Sequence, residues 1–395
     1  MGAVAKSRWR ALGWIALVLA GFSNAIAAPY VPGDDAVVLE RLPEKGDPAL
    51  KALKRMRTAL AANPHNLDAA AMVARRAIEA SRATGDPRFL GQAQAALSPW
   101  WAAPESPAIV VLLRATIRQS EHDFDGALAD LNRLIAADPR AAQARLTRAT
   151  VLTVVGRYTD AKSDCGQLAV MAPSLIVAGC MAVPASLTGD AEGAYTRLLQ
   201  VLGRSGADPA AREWALTLAA EIAQRRGDFL AAENHYRMAL ALDPRDAYLQ
   251  GAYADFLLDR DRPRDVLPVV GDDLKNDALL LRRVLAEAAL PDQRDAFLAH
   301  RDEMAARFDA ARRRGDSLHR REEARFRLMI ERDIAGALTL ARDNWKVQRE
   351  PADLRILVDA ARAANDAPTL RLAADWIAST RLEDKAVVAA LEGRK

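Results

Sequence analysis

Six prolines recur along much of this chain at nearly constant spacing. They are Pro64, Pro99, Pro139, Pro173, Pro209 and Pro244, and the intervals between them are 35, 40, 34, 36 and 35 residues. A fixed interval of this length is typical of stacked structural repeats, in which each unit buries its apolar face against its neighbours. We therefore expect an extended array of small units rather than one globular core.

Between these prolines the same residue types return in the same columns. The clearest copy runs from Glu213 to Pro244, with a first helical set, a break and a second helical set: Leu216, Ala219, Ala220 and Ala223, then Gly227 and Phe229, then Ala232, Tyr236 and Ala239. Two further copies carry the same columns: Ala115, Phe124, Ala127, Leu131 and Leu134, and Ala149, Gly156, Tyr158, Ala161, Cys165 and Leu168. This pattern resembles the tetratricopeptide repeat, a helix-turn-helix unit of about 34 residues.

The resemblance implies an all-α fold, a right-handed superhelical solenoid of stacked antiparallel helix pairs. It divides the chain into a signal peptide at 1–27, a polar lead-in at 28–47 and a repeat array at 48–270, with its clearest repeats at 108–139, 142–173 and 213–244. Divergent helix pairs are expected at 271–380 and a capping helix at 381–395. Pro184 falls inside a first helix, and we expect it to kink or end that helix.

The N-terminus has the features of a secretory leader. Lys6, Arg8 and Arg10 precede an apolar stretch from Ala11 to Phe22, which is followed by Ala25-Ile26-Ala27, a small-residue cleavage pattern. The stretch is shorter than the roughly 20 residues that span a membrane, so an uncleaved anchor is the weaker alternative. We expect an exported protein of the bacterial periplasm or cell envelope, without membrane insertion after cleavage.

The charge balance argues against nucleic acid as a partner. The chain has 55 Lys and Arg against 52 Asp and Glu, and three of the basic residues lie in the leader. A nucleic-acid binder needs a basic face that displaces counterions, which a balanced chain lacks. The arginine-rich stretch at 312–327 is interleaved with acidic residues and is interpreted as a solvated helix surface.

The two cysteines, Cys165 and Cys180, are 15 residues apart. One falls on the second helix of a repeat and the other on the first helix of the next, and such helices are neighbours. We predict a disulfide, worth about 3 kcal/mol in the loop-entropy account. The alternative is that they are two separate small core residues.

Catalytic signatures are absent from the sequence. The five histidines are scattered, and there is no H-E-x-x-H pair, no nucleophile elbow and no phosphate-binding loop. We expect neither an enzyme nor a bound cofactor or metal. An enzyme remains open as an alternative only if titratable groups with displaced pKa values converge in the folded chain.

One charged pattern also recurs. Arg114 and Arg148 occupy one column, and Asp130 and Asp164 occupy one column of the following helix. Similar columns in some tetratricopeptide repeats hold an ion pair within the repeat. The resemblance implies that Arg114 pairs with Asp130 and that Arg148 pairs with Asp164.

The resemblance also implies that the chain is a scaffold that binds a protein or peptide in the concave groove lined by the first helix of each repeat. The groove candidates are Gln143, Thr150, Trp214, Thr217, Glu221, Gln224, Tyr248 and Asp255. Trp214 and Tyr248 are singled out because aromatic residues dominate binding hot spots, although each could simply pack on the neighbouring repeat. The alternative function is an accessory factor for polysaccharide export or peptidoglycan machinery, marked by aromatic residues that stack on sugars.

Overall fold

Antiparallel helix pairs follow one another along the chain. The computed structural model describes residues 47–204, 206, 208–272, 274–315 and 318–393, and these contain helices and no strand. The expected fold class, an all-α helical repeat, is confirmed. The predicted leader at 1–27 and all of the lead-in except Asp47 lie outside the described residues. The predicted division near residue 271 stays a prediction.

The helices are numbered in chain order. The first ten are α1 Pro48–Ala62, α2 Leu67–Thr84, α3 Arg88–Ala96, α4 Ser98–Trp101, α5 Ala108–Ser120, α6 Phe124–Ala137, α7 Ala142–Val154, α8 Tyr158–Gln167, α9 Ser174–Ser186 and α10 Ala191–Arg204. The others are α11 Pro209–Arg226, α12 Phe229–Leu242, α13 Ala247–Asp259, α14 Pro263–Val270, α15 Asp277–Ala288, α16 Arg294–Arg313, α17 Arg320–Phe326, α18 Ile334–Val347, α19 Pro351–Ala363, α20 Ala367–Thr380 and α21 Lys385–Glu392. Short 3-10 turns lie at Leu168–Val170 and Pro291–Gln293, and a π-helical turn at Arg327–Glu331 extends α17.

Several pairs turn in a similar way, with a left-handed residue followed by an aspartate that caps the second helix. Gly227 has φ of 78°, and the next residue, Asp228, accepts a hydrogen bond from the Ala231 amide at 3.2 Å. His122 has φ of 59°, and Asp123 accepts from the Gly126 amide at 3.0 Å. The left-handed residue ends one helix and the aspartate satisfies a free amide of the next, so the turn is defined by short-range chemistry.

Small residues allow the two helices of a pair to approach. Ala219 and Ala223 on α11 and Ala232 on α12 are fully buried, and Tyr236 on α12 is 1% exposed. The alanines leave little side chain between the backbones, and the large tyrosine fills the space at the edge of the contact.

Pro184 does not end its helix, and the expected kink stays a prediction. The helix α9 continues through Pro184 and ends two residues later, at Ser186. A proline removes one backbone hydrogen bond to the residue four positions earlier, and this loss matters little in the last turn of a helix.

The superhelical array closes on itself, because helix pairs that are far apart in the chain contact each other. The Tyr158 hydroxyl donates to the carbonyl of Arg349 at 3.3 Å over a separation of 191 residues, and the Ala191 amide donates to Glu383 at 3.0 Å over 192 residues. In a backbone hydrogen bond at the same place, the Arg349 amide donates to the carbonyl of Val154 at 2.7 Å. The near-constant separation defines one superhelical turn, and the second turn lies against the first.

Glycines mark the places where the two turns meet. Gly156 and Gly189 each follow the first helix of a pair and have φ of 81°. A Cβ atom on Gly156 would lie 2.6 Å from the Trp376 ring, and one on Gly189 would lie 3.1 Å from the Arg381 side chain. Glycine is therefore required there both for the left-handed backbone and for the close approach of the next turn.

Candidate functional site

The first helix of one pair, α13, carries an exposed tyrosine near its start. Tyr248 begins α13, is 64% exposed and donates a hydrogen bond of 2.5 Å from its hydroxyl to Glu221 of α11. The negative charge of Glu221, and then desolvation, raise the pKa of Tyr248 well above its ordinary value. Desolvation also raises the pKa of Glu221, against the opposing charge of Arg225. Tyr248 therefore presents a ring and a hydroxyl in a polar but partly enclosed setting.

Asp255 is held by two arginines. Its carboxylate oxygens lie 2.6 Å from Arg282 of α15 and 2.5 Å from Arg325 of α17. Desolvation on its own would raise the pKa of Asp255, but the two guanidinium groups outweigh it and lower that pKa to about 2. The negative charge of Asp255, a predicted groove residue, is therefore already neutralised by two arginines of the same chain.

A second buried carboxylate lies at the start of α19. Asp353 is fully buried and accepts hydrogen bonds from Asn344 at 2.8 Å, from Gln348 at 3.1 Å and from the Glu350 amide at 2.8 Å, with Arg321 at 3.3 Å. Burial raises the pKa of Asp353 to about 6, and the Arg321 charge opposes this rise. The same contacts anchor α17 and α18 to α19.

His122, in the turn between α5 and α6, lies near the charged groups around Asp353. Desolvation lowers the pKa of His122, and Glu322, Arg321 and Asp353 are close enough to act on its charge. Burial would raise the pKa of Glu322, but Arg321 and Arg282 lower it to about 2. Titratable groups with displaced pKa values thus lie close together around Arg321, and ion pairing with arginine accounts for the low values.

The sequence interpretation of the arginine-rich stretch is wrong for two of its members. Arg321 and Arg325 have side chains 25% and 21% exposed and pair with interior carboxylates instead of facing bulk solvent. Their partners lie 32 and 70 residues away in the chain. No local pattern indicates these pairs, because they form only when the superhelix brings its repeats together.

Other groove candidates also have contacts within the chain. Trp214 is half-buried, and a Cβ atom on Gly179 of α9 would come 2.5 Å from its ring, so Trp214 packs on the neighbouring pair. Thr217 is 3% exposed and donates to Glu213 at 2.8 Å. Gln224 accepts from the Tyr236 hydroxyl at 2.8 Å. The remaining two candidates, Gln143 and Thr150, are exposed.

The recurring charged columns are brought together in two neighbouring pairs. Arg114 lies 2.6 Å from Asp130, with both side chains 7% exposed. Arg148 lies 2.6 Å from Asp164. Each aspartate also contacts a second arginine that the sequence analysis missed, Arg118 in the first case and Arg145 in the second. The hydrogen bond to Asp130 raises the pKa of Arg114.

The predicted disulfide is confirmed. Cys165 on α8 and Cys180 on α9 are bonded, with Cα atoms 5.5 Å apart. Both residues are buried, so the bond joins two successive helix pairs inside the array.

An open depression lies between the second helices of the last two pairs, α18 and α20. Its volume is about 670 Å³, and its lining includes Trp345, Trp376, Arg349, Arg371, Leu372 and Asp375. The two indole rings are 5.4 Å apart and meet at 87°, and the Arg349 guanidinium lies 5.1 Å from the centre of the Trp376 ring. No residue of this depression was among the predicted site residues.

Candidate metal sites and membrane-spanning helices are absent from the described part of the chain. No group of three or more histidine, cysteine, aspartate or glutamate side chains is arranged to hold a metal ion there. None of the described helices combines the length and apolar character needed to span a bilayer.

The chain has an all-α helical repeat fold, and solved structures similar to it are tetratricopeptide-repeat proteins. A tetratricopeptide repeat protein from Parabacteroides merdae is 16% identical, with 59% of this chain and 92% of that chain covered and a TM-score of 0.38. A chain of the APC/C hetero-tetramer Cut9-Hcn1 is 13% identical, with 79% and 52% covered and a TM-score of 0.43. Human IFIT1 is 14% identical, with 87% and 84% covered and a TM-score of 0.40.

These TM-scores all lie below 0.5, and the fold described above rests on the chain's own helix pairs. No protein-family model matches the chain, and no curated protein matches it.

Proposed function

We propose that this chain is a non-catalytic, exported scaffold of the bacterial cell envelope that binds an extended protein or peptide segment on its inner face. The observation that carries this proposal is Tyr248, a large aromatic side chain that remains 64% exposed where most neighbouring polar groups are already paired. Aromatic side chains with a polar end are favoured at protein-binding sites. The exposed Gln143 and Thr150 on an earlier first helix add neutral hydrogen-bonding groups.

Export is supported by the disulfide and by the sequence of the leader. A buried disulfide persists in oxidising compartments such as the periplasm and is rare in the cytosol. The bond between Cys165 and Cys180 is consistent with that compartment.

A non-catalytic role is supported by how the interior charges are used. Asp255 is held by two guanidinium groups, and Asp353 accepts several hydrogen bonds, so both carboxylates have structural partners. In the part of the chain that the structure describes, no serine, threonine or cysteine is hydrogen-bonded to a histidine, the arrangement that activates a nucleophile.

The test is site-specific photo-cross-linking in the native envelope fraction. A photoreactive phenylalanine analogue replaces Tyr248 in one variant and the exposed, outward Met238 of α12 in a control. We expect a discrete partner to be captured from position 248 only, and a Tyr248→Ala variant to lose binding of that purified partner while Tyr248→Phe keeps most of it. Capture from neither position, or equal capture from both, would refute binding on the inner face.

A second candidate function is an accessory role in glycan machinery. The observation that favours it is the depression between α18 and α20, which places two indole rings beside charged side chains. Mixed aromatic and polar lining of this kind suits a sugar better than an extended peptide.

A further inference from the structure

We propose that the depression between α18 and α20 binds an acidic saccharide, with sugar rings against its apolar floor and a sugar carboxylate paired with Arg349 and Arg371. This inference rests on the second candidate function and gives it a ligand class. It concerns a different site from Tyr248, because the depression is lined by α18, by α20 and by Arg349 between α18 and α19, whereas Tyr248 belongs to α13.

The shape of the depression suits a ligand of moderate size. Its volume of about 670 Å³ falls within the range of roughly 300–1,000 Å³ found for small-molecule sites. Trp345, only 7% exposed, supports Trp376 from below at nearly a right angle, so the accessible apolar surface comes from the half-buried Trp376 and from Leu372, 47% exposed. The carbon-bound hydrogens of a sugar ring can pack on such a surface.

The charges of the depression favour an anionic ligand. Arg349 is half-buried, yet its guanidinium stacks on Trp376 and forms no ion pair within the described residues. This distinguishes it from the interior arginines Arg282 and Arg325, which are held by a carboxylate. Arg371 likewise has no described ion pair, so two guanidinium groups are available at one site. Guanidinium groups bind carboxylates through paired hydrogen bonds.

The remaining polar groups suit hydroxyls. Asp375 lies one helical turn after Arg371 on α20 and has no described ion pair, so its carboxylate can accept from sugar hydroxyls. Ser379 donates to the Trp376 carbonyl at 3.0 Å, which leaves its oxygen free to accept a further hydrogen bond. A purely apolar ligand would leave these groups without partners. An acidic peptide would use the arginines but would not need Asp375.

The site is also coupled to the closure of the superhelix. Trp376 is in close contact with Gly156 of the first turn, and the Arg349 backbone is bonded to Val154. A ligand that packs on Trp376 and pairs with Arg349 would hold the two turns together. Binding should therefore raise the melting temperature of the whole chain.

The experiment is isothermal titration calorimetry of the full chain with an oligogalacturonate, a neutral gluco-oligosaccharide of equal length and oligoglutamate. We expect saturable binding of the oligogalacturonate only, a raised melting temperature and a fall in affinity with added salt. Arg371→Ala should weaken binding about tenfold or more, whereas Arg140→Ala, at an exposed arginine outside the depression, should leave it unchanged.

Three results would overturn the proposal: no binding of the oligogalacturonate, equal binding of oligoglutamate, or an affinity that Arg371→Ala leaves unchanged. Failure here is separable from failure of the peptide site. Arg371→Ala should not alter cross-linking from position 248, and Tyr248→Ala should not alter saccharide affinity.

Discussion

The most direct test of the ion-paired interior is the substitution Asp255→Asn. The pKa of Asp255 is lowered from 3.8 to about 2, and its side chain is 27% exposed. A difference of nearly two pKa units corresponds to about 2 kcal/mol of stability, because each unit is worth 1.36 kcal/mol. A carboxylate with a depressed pKa contributes this stability fully above the unfolded-state pKa, and the contribution is lost as the pH falls from about 4 to about 2.

At pH 7 the asparagine variant should lose at least that amount of stability. It also leaves Arg282 and Arg325 without their anion, and breaking a buried pair from one side costs about 3–5 kcal/mol. Since Asp255 is partly exposed, we expect a loss of about 2–4 kcal/mol in the free energy of unfolding, measured by urea denaturation. The variant should also show a shallower loss of stability than the wild type between pH 4 and pH 2.

The matched control is Asp292→Asn. Asp292 also pairs with an arginine, Arg264, but both side chains are more than half exposed, so solvent screens the pair and no measurable change is expected. Equal effects of the two substitutions, or a wild-type acid profile unchanged by Asp255→Asn, would refute the view that the interior pair differs from a surface pair.

Three more outcomes follow from the packing. Gly156→Ala should destabilise the protein by more than the 1–2 kcal/mol typical of left-handed strain, because the new methyl group also meets the second superhelical turn. Gly166→Ala, in open space on α8, should leave the stability unchanged. Equal melting temperatures of the two variants would contradict this. Thiol reduction should lower the stability of the wild type by about 3 kcal/mol and leave a Cys165→Ser, Cys180→Ser variant unaffected. An equal effect of the reductant on both proteins would exclude the disulfide as the cause. Arg114→Ala leaves its buried aspartate partner with one arginine and should cost about 3 kcal/mol by denaturation, a value that a near-zero result would contradict.

The helix pairs could be predicted from the sequence because their signals are local. A capping aspartate precedes α13 and a proline opens α14, and these features act within a few residues. The disulfide follows from the same local geometry, since it joins the second helix of one pair to the first helix of the next.

The closure of the superhelix could not be predicted in this way. It depends on small rotations between successive pairs, which accumulate over the 191 residues that separate Tyr158 from Arg349. The burial of Arg321 and Arg325 depends on that closure, so a charge pattern typical of a solvated surface became part of the interior. The depression at Trp376 was missed for a related reason, because its residues come from two helices and one inter-helix segment.

Closure also constrains how the inner face can bind a partner. Asp255 and Arg325 already neutralise each other, so a charged partner would have to replace an existing ion pair and would gain little from it. The groups left available are neutral, namely the Tyr248 ring and the exposed Gln143 and Thr150. A partner recognised through them should bind with weak salt dependence. The proposed saccharide site, whose two guanidinium groups have no ion pair among the described residues, should show strong salt dependence. Salt titration of the two binding reactions therefore distinguishes the two surfaces, and a steep salt dependence at the inner face would mean that its ion pairs open when the partner binds.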